Sequence, residues 1–137
     1  MNSNPPASPR PRIRNIGIGD LLHYRLPLAG IVSILHRISG LLMFLLLPLL
    51  LWLFEASLSS ERSFEQFQDL AHNFFVRLVL LALGWALLHH LCAGLRFLLL
   101  DLHWGTERLA AQRSARVVLF VSVPLALLFG LYLFGAF

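Results

Sequence analysis

Lysine is absent from this 137-residue chain, and cysteine occurs once, at Cys92. A lone cysteine excludes an intrachain disulfide framework. No C-x-x-C, zinc, iron–sulfur or C-x-x-C-H haem-attachment spacing is present either. Gly17-Ile-Gly19 falls far short of a dinucleotide fingerprint, so no pattern for a flavin domain or a cluster is visible. Charge is scarce as well: Asp, Glu, Lys and Arg make up 13% of the residues, against 58% hydrophobic. All eleven basic residues are Arg, giving a formal charge of +4. They flank apolar runs and form no single stripe, so no nucleic-acid partner is expected.

What is present is apolar sequence of membrane length. Mean hydropathy is +0.74, too high for a soluble domain of this size. Three windows lack any Asp, Glu, Lys or Arg: Ile38–Phe54, Leu78–Leu95 and Val117–Phe137. A membrane span needs about 20 residues, within a range of about 17–25. The chain is therefore read as an all-α membrane protein with three transmembrane helices and no soluble domain.

Residues 1–25 form a basic N-terminal arm and an interfacial segment. Residues 26–137 form a three-span domain, with spans near 27–54, 73–101 and 117–137. The arm is rich in Pro, Ser and Asn and is expected to be disordered through Arg14. A cleaved secretory signal is not expected, because the next apolar run is a full span with no small-residue cleavage site. Pro27 suits a first helical turn, where its missing N–H is not needed, and Pro48 is tolerable within a membrane helix. Ser63 with Gln66 reads as a capping box opening the next helix, and Thr106 as a cap before the third span. The third span looks plain, with no ionisable group except Tyr132.

Arginine bias sets the expected topology. Arg10, Arg12, Arg14 and Arg25 precede the first span, and Arg96, Arg108, Arg113 and Arg116 follow the second. Between the first two spans, Arg62 and Arg77 are outnumbered by Glu55, Glu61, Glu65 and Asp69. The N-terminus is thus expected inside and the C-terminus outside.

Function points to one run, Ser33-Ile34-Leu35-His36-Arg37-Ile38-Ser39-Gly40. Ser33, His36, Arg37 and Gly40 fall on one helix face at offsets 0, 3, 4 and 7. A charged Arg inside a bilayer costs about 2.5–3.5 kcal/mol on insertion scales, so this face must meet a protein bundle, a polar ligand or a cofactor. The second span carries His89 and His90, then Gly94, Arg96 and Asp101. His90 and Gly94 are an i,i+4 pair, so the glycine is expected to leave room for the edge of a planar macrocycle. His89 is turned about 100° away, on the Arg96 side, as a helix–helix hydrogen-bonder. Counting from the inner helix ends, Arg37 and His90 both lie about 15 Å deep, so His36, Arg37 and His90 can share a layer. A non-covalent haem fits, with one axial imidazole and cationic partners for its propionates. Zinc or copper fits less well, since Cys92 and the carboxylates offer no second-ligand spacing.

The run Ser33–Gly40 and the run His90-Leu-Cys-Ala-Gly94-Leu-Arg96-Phe-Leu-Leu-Leu-Asp101 resemble two signatures of the cytochrome b membrane-anchor subunits of bacterial succinate dehydrogenase, respiratory complex II. Those signatures are S-x-x-H-R-x-[ST]-G and H-x-x-x-G-[LI]-R-H-x-x-x-D. The resemblance implies that His90 is an axial ligand of haem b, shared with a second small anchor subunit that brings the other ligand. It implies that Ser33 and Arg37 line the ubiquinone site and that His36 and Arg37 lie near the haem propionates. It further implies iron–sulfur and flavoprotein partners, surrounding lipid and a bacterial inner membrane. Such a subunit is not catalytic alone. One departure is Phe97, where the pattern has His. Two other readings stay open: a fumarate-reductase-type anchor using menaquinone, and a cofactor-free structural membrane adapter.

Overall fold

The computed structural model describes Gly19 and residues 26–135. The basic arm, most of the interfacial segment and the last two residues lie outside the described residues. Four helices follow in order: α1 (Leu28–Ser59), α2 (Glu61–His72), α3 (Phe74–Asp101) and α4 (Arg108–Leu133). No strand occurs among the described residues.

Helices α1, α3 and α4 are long and apolar enough to cross a membrane, at 32, 28 and 26 residues. At about 1.5 Å per residue each exceeds a hydrocarbon core of about 30 Å, so each can tilt or extend into the headgroup region. Helix α1 starts after Pro27, whose φ of −63° and ψ of 149° are those of a capping residue. It runs unbroken through Pro48, and α4 runs through Pro124.

Local signals differ from the sequence expectation at two helix starts. The capping box is Ser60 with Ser63, not Ser63 with Gln66: Ser63 N donates to Ser60 Oγ at 3.1 Å, and Ser60 N donates to Ser63 Oγ at 3.0 Å. Helix α2 therefore begins three residues earlier, because a serine at the third helical position supplies the return acceptor usually given by Glu or Gln. Helix α4 begins at Arg108, well before Val117, and Glu107 occupies its cap without a side-chain bond, so Thr106 does not cap it. Polar residues 108–116 are helical because their backbone groups pair within the helix whatever the side chains do. Asn73, by contrast, caps the second span where expected: its Oδ1 accepts from Phe75 N at 2.9 Å and Val76 N at 3.4 Å.

Helix α3 is central, packed against α1 on one flank and α4 on the other. The core is built from Val32, Ala93, Ala115 and Val118, with Ala86 and Ala126 also buried. Small residues let backbones approach, which supplies the van der Waals contact that holds helices together in lipid. Gly84 accepts the Phe129 ring, and Gly130 faces Leu81. None of the apolar window of α1 is buried inside the molecule, and Phe44, Phe75 and Phe120 are more than 70% exposed. Surface of this kind is covered by lipid or by other chains.

Candidate functional site

Helices α1 and α3 meet where their backbones come closest, at Gly40. A Cβ added there would lie 2.9 Å from His90 Cε1 and 3.3 Å from His90 Nδ1. The imidazole of His90 thus lies directly on the α1 backbone. Both of its hydrogen-bond contacts are made by Nδ1, at 3.1 Å to the carbonyl of His36 and 3.3 Å to Ser39 Oγ. A carbonyl only accepts, so Nδ1 carries the proton and donates. Ser39 is fully buried, and its hydroxyl donates to the same carbonyl at 2.8 Å. One tautomer satisfies all three contacts. It leaves Nε2 as the basic nitrogen, the state in which an imidazole ligates a metal.

His36 stacks on His90, with ring centroids 4.0 Å apart and planes 14° from parallel. Its other neighbour is Phe97, at 5.1 Å. Parallel rings send their lone pairs side by side, so the pair does not converge on a single ion. No group of three His, Cys, Asp or Glu placed to hold a metal occurs among the described residues.

The two glycines meet different imidazoles. Gly40 makes room for His90. The space over Gly94 faces His36 Nε2, 3.5 Å from where a Cβ would stand. The reason is helix rotation: His90 points at α1 and takes the nearest backbone gap there, while the gap one turn along α3 receives the ring coming from α1.

Of the remaining residues singled out, Ser33 is half-buried beside the fully buried Val32, and Arg37 is exposed. The face therefore splits. His36 turns into the α1–α3 contact, and Arg37 turns outward to whatever covers α1. His89 is completely buried, turned from His90 towards α4. Its Nδ1 lies 3.3 Å from Ser122 Oγ, and its ring stacks on Trp85 at 5.6 Å. Its Nε2 has no partner within hydrogen-bond geometry. Helix α4 is thus less plain than it reads, since Ser122 and Ser114 both bind α3. Three residues that contact these side chains or Arg96 are invisible to charge counting: Ser39, Ser114 and Ser122. For Ser39 the available signal is its place three residues after His36 on the inward face.

A sequence model of the family described as "Succinate dehydrogenase/Fumarate reductase transmembrane subunit" matches residues 11–129. The chain belongs to this family. Among similar proteins, the succinate dehydrogenase cytochrome b556 subunit of Coxiella burnetii is 36% identical, over 83% of this chain and 92% of its own. The subunit of the same name from Paracoccus denitrificans is also 36% identical, over 77% of this chain and 81% of its own. That of Rickettsia felis is 30% identical, over 77% and 82%. The family match spans all three apolar helices up to residue 129, so the paired signatures lie within a full-length likeness.

Proposed function

We propose that the chain is the cytochrome b-type anchor of a bacterial succinate:ubiquinone oxidoreductase. In this role it fixes the dehydrogenase to the inner membrane, helps hold haem b and forms part of the quinone-reducing site. The observation that carries the reading is the fixed tautomer of His90, with Nδ1 held by the His36 carbonyl and Nε2 left basic. The relatives' name, cytochrome b556, supports a haem. When bound, haem supplies one-electron storage between the partner's clusters and the quinone. His90 would hold the haem iron, and His36 and Arg37 would supply positive partners for the propionates. The second ligand would come from another anchor subunit, with iron–sulfur and flavoprotein subunits completing the complex.

Quinone chemistry needs donors at carbonyl oxygens that grow more basic as electrons arrive. The Ser33 hydroxyl and the Arg37 guanidinium, one turn apart on α1, can supply them. The exposure of Arg37 suits a ligand or partner lying outside this chain. Arginine placement favours the N-terminus in the cytoplasm and the C-terminus in the periplasm.

A reduced-minus-oxidised spectrum of the purified complex tests the reading. A six-coordinate b-type signal is expected, lost or converted in His90→Ala and nearly intact in His89→Ala. A complex of normal subunit composition without a Soret band would make the chain a cofactor-free adapter, with the His36–His90 stack as a helix contact only. The reverse behaviour of the two variants would move the ligand to the other flank of α3.

A further inference from the structure

On the flank of α3 away from His90, a groove of about 490 Å³ runs between α3 and α4. Its walls are apolar, from Leu95 and Leu99 on α3 and Val117 and Val121 on α4, with Trp104 among its lining residues. One charged side chain lines it. Arg96 is only 6% exposed, and α4 takes two of its three nitrogens: Nε donates to Ser114 Oγ at 2.9 Å, and Nη2 donates to the Ala111 carbonyl at 3.1 Å. Nη1 is buried with no hydrogen-bond partner, and the guanidinium carbon lies 5.2 Å from the centre of the Phe97 ring. A guanidinium cannot shed its charge, so an unpaired donor at this position calls for an acceptor.

We infer that this groove binds one glycerophospholipid, an acyl chain lying between α3 and α4 and the phosphodiester accepting from Arg96. Three observations select that occupant. Arg96 stands five residues before the end of α3, about 8 Å along the axis, which is the depth where acyl chains meet headgroups. Trp104, 70% exposed at this end, is the residue type that marks a membrane interface. Arg108, Arg113 and Arg116 begin α4 at the same end and attract phosphate to this leaflet. Phe97 lies between Arg96 and His36, but the groove is lined by α3, α4 and the turn between them and does not depend on the haem or quinone assignments.

The test uses the intact membrane complex, purified, stripped of lipid and titrated with dioleoyl-phosphatidylglycerol or with dioleoylglycerol, which lacks the phosphate. Native mass spectrometry reads the bound lipid. The unaltered complex is expected to bind one phosphatidylglycerol per copy of this chain, about tenfold more tightly than dioleoylglycerol, as a hydrogen bond to a charged group provides. Arg96→Gln should erase that preference. Leu95→Trp fills the groove without touching the Arg96 bonds and should abolish retention of both lipids at this site, so it decides the matter if Arg96→Gln fails to assemble. Equal retention by the unaltered complex and Leu95→Trp overturns the site. A photoreactive phenylalanine at position 99 that crosslinks to a protein subunit instead of lipid would assign the groove to a partner helix and overturn it as well.

Discussion

A single methyl group at Gly40 tests whether α1 sets the geometry of the proposed ligand on α3. In Gly40→Ala the new Cβ lies 2.9 Å from His90 Cε1, inside the distance that real side chains show. The ring cannot simply swing aside, because Nδ1 is bonded to the His36 carbonyl and Ser39 Oγ, and His36 covers one ring face at 4.0 Å. Either the helices part or His90 moves with the loss of that bond. Overpacking of this kind costs about 1–3 kcal/mol. If the strain falls on the haem-binding state, affinity should drop about five- to more than a hundredfold. Gly94→Ala is the control: its Cβ meets His36 Nε2 at 3.5 Å, an ordinary contact. The assay is haem content and the reduced-minus-oxidised spectrum of complexes matched for subunit stoichiometry. A loss or shift of signal in Gly40→Ala with near-normal Gly94→Ala is expected. Full haem content and an unaltered spectrum in Gly40→Ala would refute the claim that the α1 backbone orients His90.

Other expectations follow from the same contacts. Ser33→Ala and Arg37→Leu should severely lower succinate-to-ubiquinone activity in assembled complex while electron delivery to an artificial acceptor from the soluble subunits persists; normal quinone reduction in Arg37→Leu would leave Arg37 structural. Arg37→Lys should rescue incompletely, since an ammonium lacks the planar fork that serves two oxygens at once. The His89–Ser122 pair spans 3.3 Å, long for a hydrogen bond, so a double-mutant cycle with His89→Ala and Ser122→Ala should give a coupling near the membrane average of about 0.6 kcal/mol. A coupling above about 2 kcal/mol would mean that the pair does more than join helices. Reporter fusions after Ser59, Ala110 and Phe137 should read outside, inside and outside; a cytoplasmic C-terminus would overturn the three-span topology.

The sequence alone determined the architecture, because span length and charge exclusion are one-dimensional. Seventeen or more residues without a charge can cross a bilayer only as a helix in a chain with this composition, and the three helices are where those windows are. It also singled out the candidate residues for the proposed chemistry. An Arg and two signature histidines at membrane depth are costly enough to stand out without any structure. Helix starts were less legible: Ser59, Ser60 and Ser63 all offer cap chemistry, and only backbone geometry chose Ser60 with Ser63. Tertiary structure decided rotation and pairing. Offsets along α1 place Ser33, His36, Arg37 and Gly40 together, yet only the position of α3 turns His36 inward and leaves Arg37 out. The same packing sends His90 to Gly40 and His89 to Ser122, neighbours in sequence that meet different helices. Ser39, Ser114 and Ser122 gain their roles solely through these contacts, because an uncharged hydroxyl costs little in a helix and so leaves no mark on the sequence until a buried imidazole or guanidinium needs it.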